Sequence, residues 1–497
     1  MATIKIIASG KKAHASAKKG TLAADIVLDA GFFIERPCAG KGSCGKCKVI
    51  AKGWLNKPNL KEQNAISKKE FSRGYRLACQ ARVMGDAEIV LPREAVVTDK
   101  IFSGDYPVGK LSGPFGIAID LGTTTVAAFL CTLSDGIIHK GNAVLNRQAV
   151  FGAEVISRMG SALGSKSGEL KKLARASIED AASGLGLNEK QVKEIERALV
   201  VGNSAMHHLL LGLPVHSLAR LPFQPAEKNA PAGRIKLLGR EVELWIPPLI
   251  GGFVGSDTLG CLIYLGFATK DKPMAAVDLG TNGEVMVSNG SEIVVASTAA
   301  GPAFEGVNIE CGMRAGKGAI ISAWKNRRGG LEFEVIGGGN PGGIAGSGLL
   351  SLVNLLRKQD GIDESGRLKR GRVELSDRVY LSQADIREVQ KAKAAIRAAF
   401  DILLERAGLK ADDLSELVLT GSFGARINVD DALELGMVPR VRKDRIKVFA
   451  NAAGMGAGMM LSKESFAFAA ALAPTVRHIE LYADKEFMNK FLSNMRL

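Results

Sequence analysis

Apolar residues fall into short blocks along the chain, and none reaches the about 18–20 consecutive positions that cross a bilayer. Ile4 to Ile7 predicts a short strand, and Thr21 to Ala30 an amphipathic helix with Leu22, Ile26 and Ala30 on one face beside Ala23 and Val27. From residue 115 the blocks lengthen. FGIAIDLGTTTVAAFLCTL (115–133) predicts two strands joined by a tight turn, and MAAVDLGTNGEVMVSNG (274–290) repeats that order 158 residues later. ELVLTGSFGARINV (416–429) places a third glycine turn after an apolar strand, and NAAGMGAGMM (451–460) opens a helix of small residues. Two further junctions run from strand to helix, VGNSAMHHLLLGLP (201–214) and IPPLIGGFVGSDTLGCLIYLGF (246–267). GGGNPGGIAGSGLLSLV (337–353) reads as a turn opening an apolar helix. Segment 93–114 has no sustained period and reads as a linker. It divides the chain into a module over 1–92 and a duplicated unit over 115–497, whose halves span about 115–270 and 271–497.

Composition narrows the class. With 46% hydrophobic residues the chain can bury real cores, which excludes wholesale disorder. Seven cysteines is an odd count, and three lie within ten residues, a pattern of metal binding in a reducing compartment rather than of disulfides. The opening MATIKIIASGKK lacks the apolar stretch of a signal peptide, so a soluble, cytoplasmic protein is expected, with no membrane partner. Residues 1–100 carry 19 Lys and Arg against 9 Asp and Glu, most of the net charge of +15. This basic front end serves either to steer an acidic partner or simply to keep the chain soluble. No nucleic-acid partner is expected, because no binding motif accompanies the charge.

Cys38, Cys44 and Cys47 are spaced C-x5-C-x2-C in PCAGKGSCGKCKVIAKG, and Cys79 follows after 31 intervening residues. Three thiolates from one glycine-rich loop and a fourth from a distant segment are the ligand set of a 2Fe–2S cluster. Structural zinc more commonly shows two C-x2-C pairs, and only one is present. The stretch resembles the plant-type and adrenodoxin-type ferredoxins, which implies a β-grasp fold over about 3–92 that carries one electron at a time.

In the repeated DLGT turns, backbone amides and the hydroxyls of Thr123, Thr124, Thr125 and Thr281 can cradle phosphate oxygens. Gly122, Gly280 and Gly283 permit close backbone approach, and Asn282 lies in the second turn. Asp120 and Asp278 can bind Mg2+ directly or through its waters. Asp257 is either a group orienting water or a hydroxyl, a magnesium ligand, or a helix cap. Gly346 and Ser347 lie where a helix N-terminus approaches nucleotide. Asn203 is placed to face the cleft, His207 and His208 read as structural, and Cys131, Cys261 and Cys311 as buried thiols.

The order of phosphate turn, phosphate turn, glycine turn and small-residue helix resembles the acetate and sugar kinase, heat-shock chaperone and actin superfamily. The resemblance implies α/β architecture with two RNase H-like lobes closing over ATP, and it places Gly421, Ser422 and Phe423 by the adenosine. Joined to the cysteine module, the chain resembles the ATP-dependent reductive activators of corrinoid proteins. DLGTTTVA, VGNSAMHHLLLG, DLGTNGEVMV, GPAFEGVNIECGMRA (301–315) and HIELYADKEFMNKFL (478–492) carry that likeness. It implies one-electron return of inactive Co(II) to Co(I) in a corrinoid protein that serves a methyltransferase. It further implies an upstream low-potential electron donor, an anaerobic host and room for a homodimer. Some relatives carry an extra middle domain or further 4Fe–4S cysteines, and neither is evident here. A small-molecule kinase with Asp257 as base, and a redox sensor with ATP as structural ligand, are the alternative readings. Activators of 2-hydroxyacyl-CoA dehydratases share the ATPase fold but place a 4Fe–4S cluster at a subunit interface.

Overall fold

The computed structural model describes residues 1–8, 11–92, 113–229, 233–327, 330–424 and 426–497. All but the last two residues of the expected linker lie outside that set.

In the first module, Ile4 and Ile6 point inward from the strand Ala2–Ala8 while alternate positions face out, the period-two signature of a half-buried strand. That strand pairs antiparallel with Lys11–Ala17 and parallel with Val83–Leu91. Lys48–Leu55 and Tyr75–Leu77 complete a five-stranded sheet, crossed by the helix Ala23–Asp29 with Ile26 and Val27 buried. This is the β-grasp arrangement that the ferredoxin resemblance implies. One polar contact inside it is fully satisfied. Arg76 donates through Nε and Nη2 to the buried Glu62 carboxylate at 2.9 Å each, and Leu77 N donates to the same group at 3.1 Å. A bidentate, charge-assisted bond of this kind fixes the strand that leads into Cys79.

The rest of the chain builds the same sheet twice. Phe115–Leu121, Thr125–Thr132 and Ile138–Leu145 form an antiparallel meander, with Ile195–Val201 parallel to its first strand and Arg240–Trp245 parallel beyond. Met274–Leu279, Gly283–Ser288 and Ile293–Thr298 repeat the meander, with Glu416–Thr420 and then Ile446–Val448 parallel beyond the first strand. The first strand of each meander is central and covered on both faces, which is why FGIAIDL and MAAVDL read as unbroken apolar runs rather than alternating ones. Segment 246–250 is not the strand that its composition predicts. Pro247 and Pro248 cannot donate to a ladder, and the strand ends at Trp245.

One apolar cluster draws on both sheets, with Phe129 and Leu199 from the first and Met286 and Val295 from the second. Between them the helices Ser256–Leu265 and Ala452–Met459 cross in backbone contact. A Cβ on Gly456 would lie 2.0 Å from the Gly260 carbonyl oxygen, and one on Gly260 2.7 Å from that of Ala453. Gly456→Val is therefore expected to force the helices apart and lower stability by about 3 kcal/mol or more, read as a reduced urea midpoint. An unchanged midpoint would show that the crossing is loose.

Candidate functional site

The four module cysteines come together as two pairs. The Cys44 and Cys38 sulfurs lie 3.4 Å apart, and Cys47 and Cys79 are near enough to shift each other's titration. In each pair the neighbouring thiol lowers the pKa of one sulfur. The bond from Cys44 draws Cys38 down to about 4, and the bond from Cys47 draws Cys79 down to about 7. Among the described residues no three His, Cys, Asp or Glu side chains converge as ligands of a single ion. Two sulfur pairs match a cluster with two iron atoms, one per pair, better than one tetrahedral zinc. Gly40 and Gly42 adopt φ of +81° and +79°, and a Cβ on Gly42 would press into Gln80 at 3.0 Å. Gln80 is a residue that sequence reasoning missed. Its Nε2 donates to the Gly40 carbonyl at 2.7 Å and approaches the Cys79 sulfur at 3.5 Å, tying the loop to the distant ligand.

The two DLGT turns face each other across the cleft. Thr124 Oγ1 lies 3.0 Å from Thr281 Oγ1, and both hydroxyls reach one carboxylate, Glu305, at 2.6 and 3.2 Å. In the first turn a Cβ on Gly122 would meet the Thr125 carbonyl at 2.6 Å, so the turn closes only without a side chain. Asn203 donates to Thr123 Oγ1 at 3.1 Å while capping the helix Ser204–Leu211, and Thr125 Oγ1 is buried without a hydrogen-bond partner. In the second turn Gly280 N donates to Asn282 O at 3.0 Å, and Gly283 packs against Ile396 and Thr298. An orphaned hydroxyl and a side-chain-free turn fit a phosphate-bearing ligand.

Behind the turns lie four carboxyls, Glu284 buried and Asp120, Asp257 and Asp278 half-buried. Burial and then the charge of Asp278 push Asp120 up to about 7, and Asn451 donates to it at 2.9 Å. Asp257 is pushed up to about 7 by burial and the neighbouring carboxylates, and Asp278 up to about 6 by burial alone. Glu284 is pushed well up by burial and by Asp257 and Asp278. These carboxylates are hard oxygen donors of the kind that hold Mg2+ through its waters, although no three of them converge on one point. Asp257 is not the helix cap. Gly255 holds that place, and the Asp257 carboxylate accepts from Thr258 N at 2.8 Å within the first turn. Cys261, expected as a bystander thiol, donates to Asp278 at 3.4 Å. Glu284 was missed because the second turn is one residue shorter than the first, so that it stands opposite Asp278 where the first copy has Ala127 opposite Asp120.

Beside the turns a pocket is lined by Glu305, Arg314, Gly346, Ser347, Phe423 and Arg426. Phe423 stacks on Phe304 with ring centroids 4.7 Å apart, and Gly346 opens the helix Gly346–Lys358. Gly421 follows the strand Glu416–Thr420 and abuts Asp278, where a Cβ would lie 2.3 Å from the carboxylate. Ser422 continues the same short helix. His207 and His208 are structural, His207 bonding Ser256 at 2.9 Å and His208 bonding Ser204 O at 2.8 Å. Cys131 is buried as expected, but Cys311 is only half-buried.

Comparisons with known proteins follow this division. A model described as a 2Fe–2S iron–sulfur cluster binding domain matches residues 6–84. Models for the RACo middle region and for the C-terminal domain of RACo, the ASKHA domain, match 115–270 and 272–497. The match to the RACo middle region covers the first lobe, 115–270. The chain is 34% identical over 421 residues to the corrinoid activation enzyme RamQ of Eubacterium limosum, covering 76% of this chain and 70% of that protein. It is 27% identical over 425 residues to the Co(II) methylated amine-specific corrinoid protein reductase of Methanosarcina barkeri, covering 77% and 76%. A solved structure of a reductive activator for corrinoid, iron–sulfur protein superposes with a TM-score of 0.70 at 25% identity, covering 99% of this chain and 98% of that one. No described helix is long and apolar enough to cross a membrane. The chain belongs to the RACo family of corrinoid-protein activators.

Proposed function

We propose that this chain uses Mg-ATP to drive one-electron reduction of a corrinoid protein, returning cobalt from inactive Co(II) to Co(I) in support of a methyltransferase. The observation that carries the reading is the union in one chain of two sulfur pairs with two opposed phosphate turns. A 2Fe–2S cluster, when bound, supplies single electrons at potentials near about −400 mV in its plant-type form. Each ~59 mV of deficit against the acceptor costs tenfold in equilibrium for one electron, so ATP enters by favouring a conformation in which the cobalt is easier to reduce.

Cys38 and Cys44 hold one iron and Cys47 and Cys79 the other, with Gln80 fixing the loop. Thr123, Thr124, Thr125 and Thr281 hold phosphate oxygens. Asp120, Asp257, Asp278 and Glu284 would hold Mg2+ mainly through its waters, and Phe423 would border the adenosine. Release of hydrolysis products from between the lobes resets the molecule. The acceptor is a corrinoid protein in the Co(II) state, an upstream low-potential donor reloads the module, and a homodimer is the assembly proposed.

Visible spectroscopy tests the reading directly. A mixture of this protein, an oxidised corrinoid protein from the same genome and a reductant is expected to form Co(I) only with Mg-ATP. Cys44→Ala and Asp120→Ala are each expected to abolish the signal. Unchanged Co(II) with an intact cluster and the right partner would overturn the proposal and favour a phosphoryl acceptor instead.

A further inference from the structure

The cysteine loop does not face solvent alone. Lys46, between two of the ligands, donates from Nζ to the Gly312 carbonyl at 2.8 Å. Glu35, three residues before Cys38, forms an ion pair with Arg314. Pro37 O accepts from Ala153 N at 3.1 Å, and Ala39 lies against Gly152. The loop is thus held by residues 152–153 of the first lobe and 312–314 of the second.

Gly312 and Arg314 belong to the same segment as Glu305. Segment 301–315 starts at the phosphate turns, where Glu305 accepts from Thr124 and Thr281, and ends beside Arg314, which lines the pocket and pairs with Glu35. Its middle is folded back tightly. A Cβ on Gly306 would lie 2.7 Å from the backbone of Met313, and one on Gly312 would lie 2.4 Å from Gly306 O. Met313 N and Cys311 O are both bonded to Ile344, at 2.9 and 2.8 Å. Backbones in such contact cannot move independently, so a shift at Glu305 reaches Gly312 and Arg314.

We propose that segment 301–315 is a nucleotide-operated latch: phosphate entering the cleft displaces Glu305, and the hold of Gly312 and Arg314 on the cysteine loop is released. The physical reason lies in the donors. Glu305 occupies the two hydroxyls that a phosphate oxygen needs, and two anions competing for the same donors repel each other. Arg314 has a buried Nε without a hydrogen-bond partner, so it is a guanidinium not saturated by Glu35 and open to a phosphate. Released from the lobes, the module presents its cysteine loop to an outside acceptor. The inference rests on the nucleotide reading of the cleft but not on the corrinoid acceptor.

Hydrogen exchange on the full cluster-loaded chain, with and without a non-hydrolysable Mg-ATP analogue, tests it. The analogue is expected to protect 120–125 and 278–283 while exchange in 35–47, 151–154 and 309–315 accelerates about tenfold. Protected phosphate turns with an unchanged cysteine loop would overturn the latch and leave the nucleotide reading standing. Unprotected turns would overturn both. A Glu35→Gln, Lys46→Gln double variant, checked for an intact cluster by visible absorption, is expected to show the fast loop exchange without nucleotide and, by linkage, tighter analogue binding by calorimetry. Slow exchange in that variant would also overturn the latch.

Discussion

Replacing Asp278 by Asn is expected to raise the melting temperature of the metal-free protein at pH 8 while lowering ATP hydrolysis by about a hundredfold or more. The first half follows from the carboxyl cluster. Asp120 and Asp257 are raised to about 7 and Asp278 to about 6, chiefly by burial. A carboxyl whose folded pKa lies above its unfolded value binds more protons when folded. Stability is then full below the unfolded value near pH 4 and falls as pH rises through the folded one, by up to ~1.4 kcal/mol for each pH unit that separates the two values. At pH 8 the metal-free fold holds these groups ionised against one another, and an amide at 278 removes one charge from the group. The second half follows because the amide also weakens the Mg2+ site. For the unaltered protein, the stabilisation by Mg2+ is expected to be several degrees larger at pH 8 than at pH 5 by calorimetry. Equal stabilisation at both pH values would show that the four carboxyls do not serve the ion together.

Cys47→Ala is expected to abolish the visible absorption of the cluster and all electron transfer to cobalt, while ATP hydrolysis survives. Cys47 is buried at 2% exposure within an apolar cluster of Ile4, Ile6, Val49, Leu77 and Ile89 that belongs to the first module alone. Loss of its ligand bond removes one of two attachments of an iron, and loss of its sulfur leaves a cavity costing about 2–3 kcal/mol in a small core. The lobes have separate apolar clusters, so their fold does not depend on that module. The check is parallel: absorption and thermal melting for the module, phosphate release for the lobes. Hydrolysis lost with the cluster would mean that the two units fold as one.

Much of this was legible in the sequence because it was written in local patterns. The cysteine spacing and the repeated DLGT turns each lie within a few residues, and the central strands announce themselves by burial on both faces. What escaped was set by long-range packing. Gln80 matters only because the chain returns Cys79 to the glycine loop, and Glu305 only because its segment reaches back to turns 24 and 181 residues earlier in the chain. Cys311 looked like a buried thiol because Ile309, Gly312 and Met313 lie near it in sequence, but the fold leaves it half-buried.

The two copies of the phosphate turn differ at one position with a consequence for orientation. Two identical turns facing each other across a pseudo-twofold axis would accept a triphosphate equally well pointing either way. Glu284 stands opposite Asp278 where the first copy has Ala127 opposite Asp120, so acidic oxygen is concentrated on one side of that axis and hydrocarbon on the other. This difference between the copies gives the cleft a polarity, and with it a head and a tail for whatever polyanion it receives.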